Sequence, residues 1–477
     1  MWSSLFSNGG VTISRIWSQA AGVIMMLTAA KLLTPTEFGV FALASASTMI
    51  LNQLVGVGPY EYVVRERERP EVADTAFWFN MAFAAGVTVI GLAVAFWATQ
   101  AFPGNRLPYM IAFLVPLTLP AGWRSVIEGV LVREARLAAL AGATIAVETI
   151  AFVAGMTALI AGAGVKALIL HKVVYFVAAV PVFSVIGRWR PHFKGEMATA
   201  KKMASFGAGI FGDRVLGYLQ AYGVDLILGV LFNPAAVAFY RIGARIVIAV
   251  AAVVGEQFRT LAWVRLTRAR TAGEPVHIEA ERVIGAAFIL TTGAFVGLAL
   301  VSDLLIAAFL GPDWAISGQV VAFLSIAILV STPNMFSDAI FGTLGATRWL
   351  MANRAIIVSV LMLCFFAAAG RGPVWTAAGQ LVASLIGAAI VVTVQRKVGG
   401  VRAKAYLPTL LRCAGAAFFM GVIVLIVKAG LSFFGVTSVV ALVVTVATGL
   451  LCYSVACWVL FGRRLLEIVS SLLVRGN

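Results

Sequence analysis

Residues Arg15–Ser45 read RIWSQAAGVIMMLTAAKLLTPTEFGVFALAS. An apolar run long enough to cross a bilayer leads into a tight Leu-Thr-Pro turn, and a second apolar run follows at once. Arg15 stands near one mouth of the first helix, and Pro35, twenty positions on, closes the turn. Downstream the arrangement recurs, with Arg214 followed twenty positions later by Pro234. LLTPTEFGVFA and LFNPAAVAFYR align without a gap, 199 positions apart. Two copies of one helical hairpin predict two like-built halves.

The composition fixes the class. The chain has 477 residues, 61% hydrophobic and 12% charged, with a mean hydropathy of +0.99. A soluble domain carries about 25% charged residues. Strand-like alternation is absent, and a bilayer demands internally satisfied backbone, so the runs are helices. The expected fold is an all-α integral membrane protein. About fourteen spans are read: 12–33, 38–58, 76–99, 108–131, 138–161, 166–186, 206–231, 235–261, 283–310, 317–343, 350–369, 374–394, 409–430 and 437–461. The N-terminus lacks a basic region and a small-residue cleavage site, so the first helix is expected to be retained.

A net charge of +16 would suggest nucleic acid in a soluble protein. Here position decides otherwise. The even-numbered gaps and the C-terminal tail hold 22 Lys and Arg; the odd-numbered gaps hold five, Lys31, Arg106, Lys166, Arg371 and Lys428. The positive-inside rule then puts both termini in the cytoplasm, and no nucleic-acid partner is expected. Cys364, Cys413, Cys452 and Cys457 lie in apolar runs without a CxxC, and His171, His192 and His277 are scattered. Neither a disulfide framework nor a metal site is predicted.

The repeat reaches beyond the hairpin. Pro120, Gly129 and Leu131 in span four are matched in spacing by Pro333, Gly342 and Leu344 in span ten, 213 positions apart. A six-helix unit used twice keeps one orientation, so the halves relate by an axis along the membrane normal. The expected divisions are lobes at 1–190 and 206–397, a cytoplasmic linker at 191–205, and spans thirteen and fourteen with a tail at 398–477. Pro116, Pro120, Pro181 and Pro333 fall within spans and favour kinks.

Ionisable groups inside the bilayer cost about 2.5–3.5 kcal/mol on insertion scales and need a reason. Arg241 and Arg245, at i and i+4, share one helix face. Lys172, beside His171, lies at similar depth. Arg15 either snorkels or lines a cavity, and its repeat partner is Arg214. These five are the expected cationic lining. Glu148, Asp213 and Asp225 are either internal ion-pair partners or ion-coupling carboxylates. Arg124 and Glu128 read as a structural i,i+4 pair. Arginine dominates the set, and its planar fork of donors suits phosphate oxygens. An anionic, phosphorylated substrate is the expectation.

No lysine is followed by Ser or Thr, so there is no P-loop, and neither HExxH nor GxSxG occurs. No catalytic residue, metal or cofactor is assigned, and the chain is not read as an enzyme.

The stretches LLTPTEFGVFALAS (32–45), EGVLVREARLAAL (128–140) and FGDRVLGYLQAYGVDLILG…AFYRIGARI (211–246) resemble the Wzx-type polysaccharide exporters, lipid-linked oligosaccharide flippases of the MOP exporter superfamily. The resemblance implies a two-lobed, V-shaped bundle with a central cationic cavity. It implies movement of an undecaprenyl-diphosphate-linked glycan across the bacterial inner membrane by alternating access, for exopolysaccharide or O-antigen synthesis. It places cavity cations at Arg15, Arg214, Arg241 and Arg245. The implied partners are the polyprenyl-diphosphate-linked glycan, membrane lipids, and polysaccharide polymerase and co-polymerase proteins. The rivals are a cation-coupled multidrug exporter of the same superfamily, a membrane-embedded glycan polymerase, and a non-transporting scaffold. The first predicts a cavity with more acid than base, and the second a large external loop.

Overall fold

An apolar run in a bilayer has no water to satisfy its backbone and must close its hydrogen bonds within itself. Accordingly, the described residues form helices and no strand. The computed structural model describes residues 2–66, 69, 71–101 and 104–462. Arg67 and the basic tail residues Arg463, Arg464 and Arg475 lie outside them, as does Pro103.

The chain divides into two compact units, Met1–Ala238 and Phe239–Asn477. The first holds α1 (Trp2–Leu32), α2 (Pro35–Val55), α3 (Pro59–Arg65), α4 (Val72–Ala101), α5 (Arg106–Leu114), α6 (Thr118–Arg133), α7 (Leu137–Ile160), α8 (Val165–Gly187) and α9 (Met197–Leu231). α10 (Pro234–Thr271) begins in the first unit and runs into the second. The rest are α11 (Val276–Phe309), α12 (Ala315–Val330), α13 (Ser337–Leu344), α14 (Thr347–Ala369), α15 (Pro373–Gly399), α16 (Ala403–Phe433) and α17 (Ser438–Phe461).

Among the described residues, thirteen helical segments are long and apolar enough to cross a membrane, one fewer than the fourteen read from sequence. The fourteenth, α1, is a helix of 31 residues, about 46 Å long, but Arg15 and Gln19 interrupt its apolar run. It packs along α7, and Trp17 Nε1 donates to Thr149 Oγ1 at 3.0 Å.

Local chemistry builds the hairpins. Thr34 caps α2: its Oγ1 accepts the Glu37 N–H at 3.3 Å, and its own N–H donates to Glu37 Oε2 at 3.1 Å. Pro35 sits at the first helical position, where its missing N–H costs nothing. In the second copy Asn233 Oδ1 accepts the Ala236 N–H at 2.8 Å, just ahead of Pro234. Span four breaks at a 3₁₀ turn, Val115–Leu117, containing Pro116, and span ten at Thr332–Phe336, containing Pro333. Polar side chains cover the breaks. Gln395 Nε2 donates to the Pro333 carbonyl at 2.9 Å and to Ser337 Oγ at 3.1 Å, while the Thr88 and Thr118 hydroxyls meet at 2.6 Å. Such partners make non-helical backbone tolerable at membrane depth. Gly129 leaves room for Tyr60 and Gly342 for the Trp263 ring, so the glycines matched in sequence do matching work in the two units. Pro181 lies inside an uninterrupted α8. Pro408, just ahead of the span read at 409–430, lies inside α16 because that helix already starts at Ala403.

Of the expected linker 191–205, residues from Met197 onward are the first turns of α9. The non-helical part is tied to the start of α4. His192 N–H donates to Asp74 Oδ1 at 2.9 Å, Trp78 Nε1 donates to the His192 carbonyl at 2.9 Å, and Glu196 N–H donates to Thr75 Oγ1 at 3.1 Å. The additional pair α16–α17 packs on α11. Tyr453 lies against Gly293 and its hydroxyl donates to the Ile289 carbonyl at 2.6 Å. Lys428 Nζ sits 2.6 Å from Asp303 Oδ1.

Candidate functional site

Within the first unit the cation at the repeat position, Arg214, is brought to a carboxylate by two glycines. α9 packs against α2, α3 and α4. A Cβ on either Gly58 or Gly207 would lie 3.0 Å from the other's Cα, so a side chain at either would push the two backbones apart by a few tenths of an ångström. Gly58 also has φ +98°, which an L side chain resists. Arg214 lies seven residues after Gly207, two turns along the same face, and Glu61 lies three residues after Gly58. Arg214 Nη2 meets Glu61 Oε1 at 3.1 Å, while Glu61 Oε2 accepts the Gly58 N–H at 2.9 Å and so caps α3.

The Arg214 side chain is 47% exposed and that of Glu61 18%. A guanidinium carries five N–H donors. Glu61 takes one in this arrangement, and the exposed remainder is suited to bidentate binding of phosphate oxygens. A cavity of about 300 Å³ beside the Gly58–Gly207 contact is apolar apart from Asn80. Asn80 Nδ2 is already bonded to the Gly122 carbonyl at 2.8 Å and to Ser125 Oγ at 2.9 Å.

The other residues singled out in sequence are distributed as follows. Arg15 is exposed on α1. Lys172, half-buried on α8, reaches α2, where its Nζ is 3.8 Å from Met49 Sδ. Glu148 is buried on α7. On α9, Asp213 is half-buried and Asp225 is 1% exposed. Arg241 and Arg245 are half-buried on α10 in the second unit.

Arg124 and Glu128 form the expected i,i+4 pair on α6 at 2.6 Å. The Tyr175 hydroxyl on α8 accepts a second Arg124 hydrogen bond, and the guanidinium lies over the Tyr175 and Phe183 rings, 5.1 and 4.9 Å from their centroids. With both charges largely buried and the Arg124 Nε and Nη1 donors engaged, this pair ties α6 to α8. Arg354 and Asp338, 3.9 Å apart, link α14 to α13 in the second unit.

Sequence reading missed Glu61. Its signal was present in Gly58-Pro59-Tyr60-Glu61, which repeats the spacing of the Thr34-Pro35-Thr36-Glu37 cap. In both, Pro opens the helix and Glu three residues after the cap turns back on it. Among the described residues no His, Cys, Asp and Glu cluster has the makings of a metal site.

A family model described as "Polysaccharide biosynthesis protein" matches residues 28–319. No curated protein matches the chain. Among solved structures, the chain is similar to one described as "Lipid II flippase MurJ, inward closed conformation". The TM-score is 0.75 at 12% identity, covering 94% of this chain and 98% of that one. It is also similar to an inward-facing multidrug resistance MATE family transporter of the MOP superfamily. That TM-score is 0.59 at 13% identity, covering 83% of this chain and 95% of that one. At such identities the likeness is one of fold.

Proposed function

The chain belongs to the polysaccharide biosynthesis protein family and has the fold of MOP superfamily transporters, and from that premise we propose that it is a flippase for a lipid-linked glycan. In this reading an undecaprenyl-diphosphate-linked oligosaccharide repeat unit passes from the cytoplasmic to the outer face of the bacterial inner membrane by alternating access, for exopolysaccharide or O-antigen synthesis. Both termini are cytoplasmic, as the distribution of basic residues between gaps supports. The two repeat halves, 1–190 and 206–397, are the moving bodies, so the contacts that α9 makes with α2, α3 and α4 form and break during the cycle.

The observation that carries the reading is Arg214, held by one carboxylate and otherwise exposed. A diphosphate competes with Glu61 for its guanidinium. The other basic members of the binding set are Arg15, Lys172, Arg241 and Arg245. Their excess over acidic groups favours an anionic head over a cationic drug. A membrane potential of about 100 mV, negative inside, favours outward passage of two negative charges by about 4–5 kcal/mol. Glu148, Asp213 and Asp225 are the candidates for ion coupling. Polysaccharide polymerase and co-polymerase proteins would take the delivered unit.

The test is flipping of a labelled polyprenyl-diphosphate glycan in liposomes by the native chain, by Arg214→Ala and by Arg241→Ala/Arg245→Ala. Native flipping lost in folded variants supports the reading. Native protein that moves no lipid-linked glycan but drives ion-dependent drug efflux replaces it with the exporter. Equal flipping by all three keeps the function and removes these arginines from the site.

A further inference from the structure

On one flank of the first unit, the space between α5–α6 and α8 is open and apolar. A recess of about 470 Å³ is lined by Phe113, Ile169, Leu170 and Val173, with Lys166 among its walls. A second, of about 580 Å³, is lined by Pro120, Val173, Val177 and Pro181. Val173 belongs to both, so the two form one groove along α8. Lys166 contributes the groove's one polar side chain. It stands in the first turn of α8, at the end opposite the 188–196 connection. It is exposed and makes no ion pair among the described residues.

The groove has the dimensions of one lipid. Lys166 to Pro181 is fifteen residues, about 22 Å of helix. Half of a bilayer with its headgroup layers is about 20–22 Å. A lipid in the groove would therefore reach from Lys166 at headgroup level to Pro181, six residues short of the far end of α8. A prenyl chain long enough to cross the bilayer would overrun it. The ammonium at the mouth matches a phosphate, and a headgroup with net negative charge leaves that pairing uncontested by a choline or ethanolamine cation.

We propose that this groove is a binding site for an anionic glycerophospholipid, with its phosphate at Lys166 and one acyl chain along Val173, Val177 and Pro181. The site is separate from the binding set of the transported substrate, and it concerns a lipid that stays with the protein.

The experiment uses the full chain in phosphatidylcholine nanodiscs doped with a phosphatidylglycerol carrying a photoactivatable diazirine on its acyl chain. Labelled peptides are mapped by mass spectrometry. The peptide containing residues 173–181 should be labelled about fivefold more by this probe than by the matching phosphatidylcholine probe, as one basic contact at a membrane surface provides. Lys166→Gln should bring the ratio near one, and Lys166→Arg should keep it. Val177→Trp should reduce labelling by both probes by obstructing the groove. Equal labelling of the native protein by the two headgroups overturns the proposal, as does a ratio that Lys166→Gln leaves unchanged. Displacement of the phosphatidylglycerol probe by an equal amount of polyprenyl phosphate also overturns it and assigns the groove to a prenyl chain. Lys166 is exposed, and a monodisperse gel-filtration profile checks that each variant is folded.

Discussion

One carboxylate serves two helices: Glu61 Oε1 lies 3.1 Å from Arg214 Nη2 on α9, and Glu61 Oε2 caps α3 through the Gly58 N–H at 2.9 Å. The cation expected to meet substrate is thus held near the start of α3 by a partner that an incoming anion can displace. With Arg214 about half exposed, the pair contributes at most about 1 kcal/mol to stability.

Because the pair is a weak structural tie, its removal should alter transport more than folding. Arg214→Ala should lower glycan flipping at least tenfold with little change in thermal unfolding. Glu61→Gln keeps a side chain of the same size but frees the guanidinium, and should tighten binding of a polyprenyl diphosphate several-fold. Binding unchanged or weakened in Glu61→Gln would show that the carboxylate does not compete with the substrate.

The buried pair on α6 should behave in the opposite way. Arg124→Ala leaves Glu128 largely buried without its partner, at a cost of about 3–5 kcal/mol. Arg124→Leu/Glu128→Leu removes both charges and should recover most of that loss. Unfolding of the detergent-solubilised protein, followed by intrinsic fluorescence, distinguishes the two variants. A double variant as unstable as Arg124→Ala would mean that the contacts to Tyr175 and Phe183, not the ion pair, dominate.

The Gly58–Gly207 contact is tighter than a Cβ normally allows. Gly207→Leu should force α9 away from α3, with an overpacking cost of about 1–3 kcal/mol, and separate Arg214 from Glu61. A cysteine pair placed at 61 and 214 in the native background should be joined by a bifunctional thiol reagent that spans the reach of the two replaced side chains, and Gly207→Leu should slow that crosslinking. Undiminished crosslinking would show that α9 does not depend on this approach.

At the broken span of the second unit, Gln395→Leu should leave the Pro333 carbonyl without its donor. The expected loss is about 1–3 kcal/mol, with faster hydrogen exchange in residues 332–344. Gln395→Glu does not restore the donor when ionised, so it should not rescue stability. A silent Gln395→Leu would show that the break is satisfied in another way.

Several features were legible because they are local. Pro35 and Pro234 mark helix starts since proline has no N–H to lose there, and Thr34 and Asn233 precede them as caps. Gly129 and Gly342 could be paired from spacing alone. Arg124 and Glu128 are four residues apart on one helix, so their contact follows from the helical repeat. Even the shortfall of α1 against the thirteen span-like helices can be traced to Arg15 and Gln19, which interrupt its apolar run.

Length, hydropathy and the placement of Gly and Pro determined by themselves that this is a helical membrane protein with a recurring hairpin, because runs of about 20 apolar residues without strand-like alternation leave only the helix of the two backbones a bilayer admits. The tertiary structure decided which charges meet. Arg214 and Glu61 are 153 positions apart, and nothing in either helix's own periodicity orients one toward the other. Their contact depends on two glycines, Gly58 in the turn ahead of α3 and Gly207 on α9, that let two backbones approach closely. The groove under Lys166 has the same origin, since its walls come from helices whose rotation about their own axes is set by packing rather than by hydropathy.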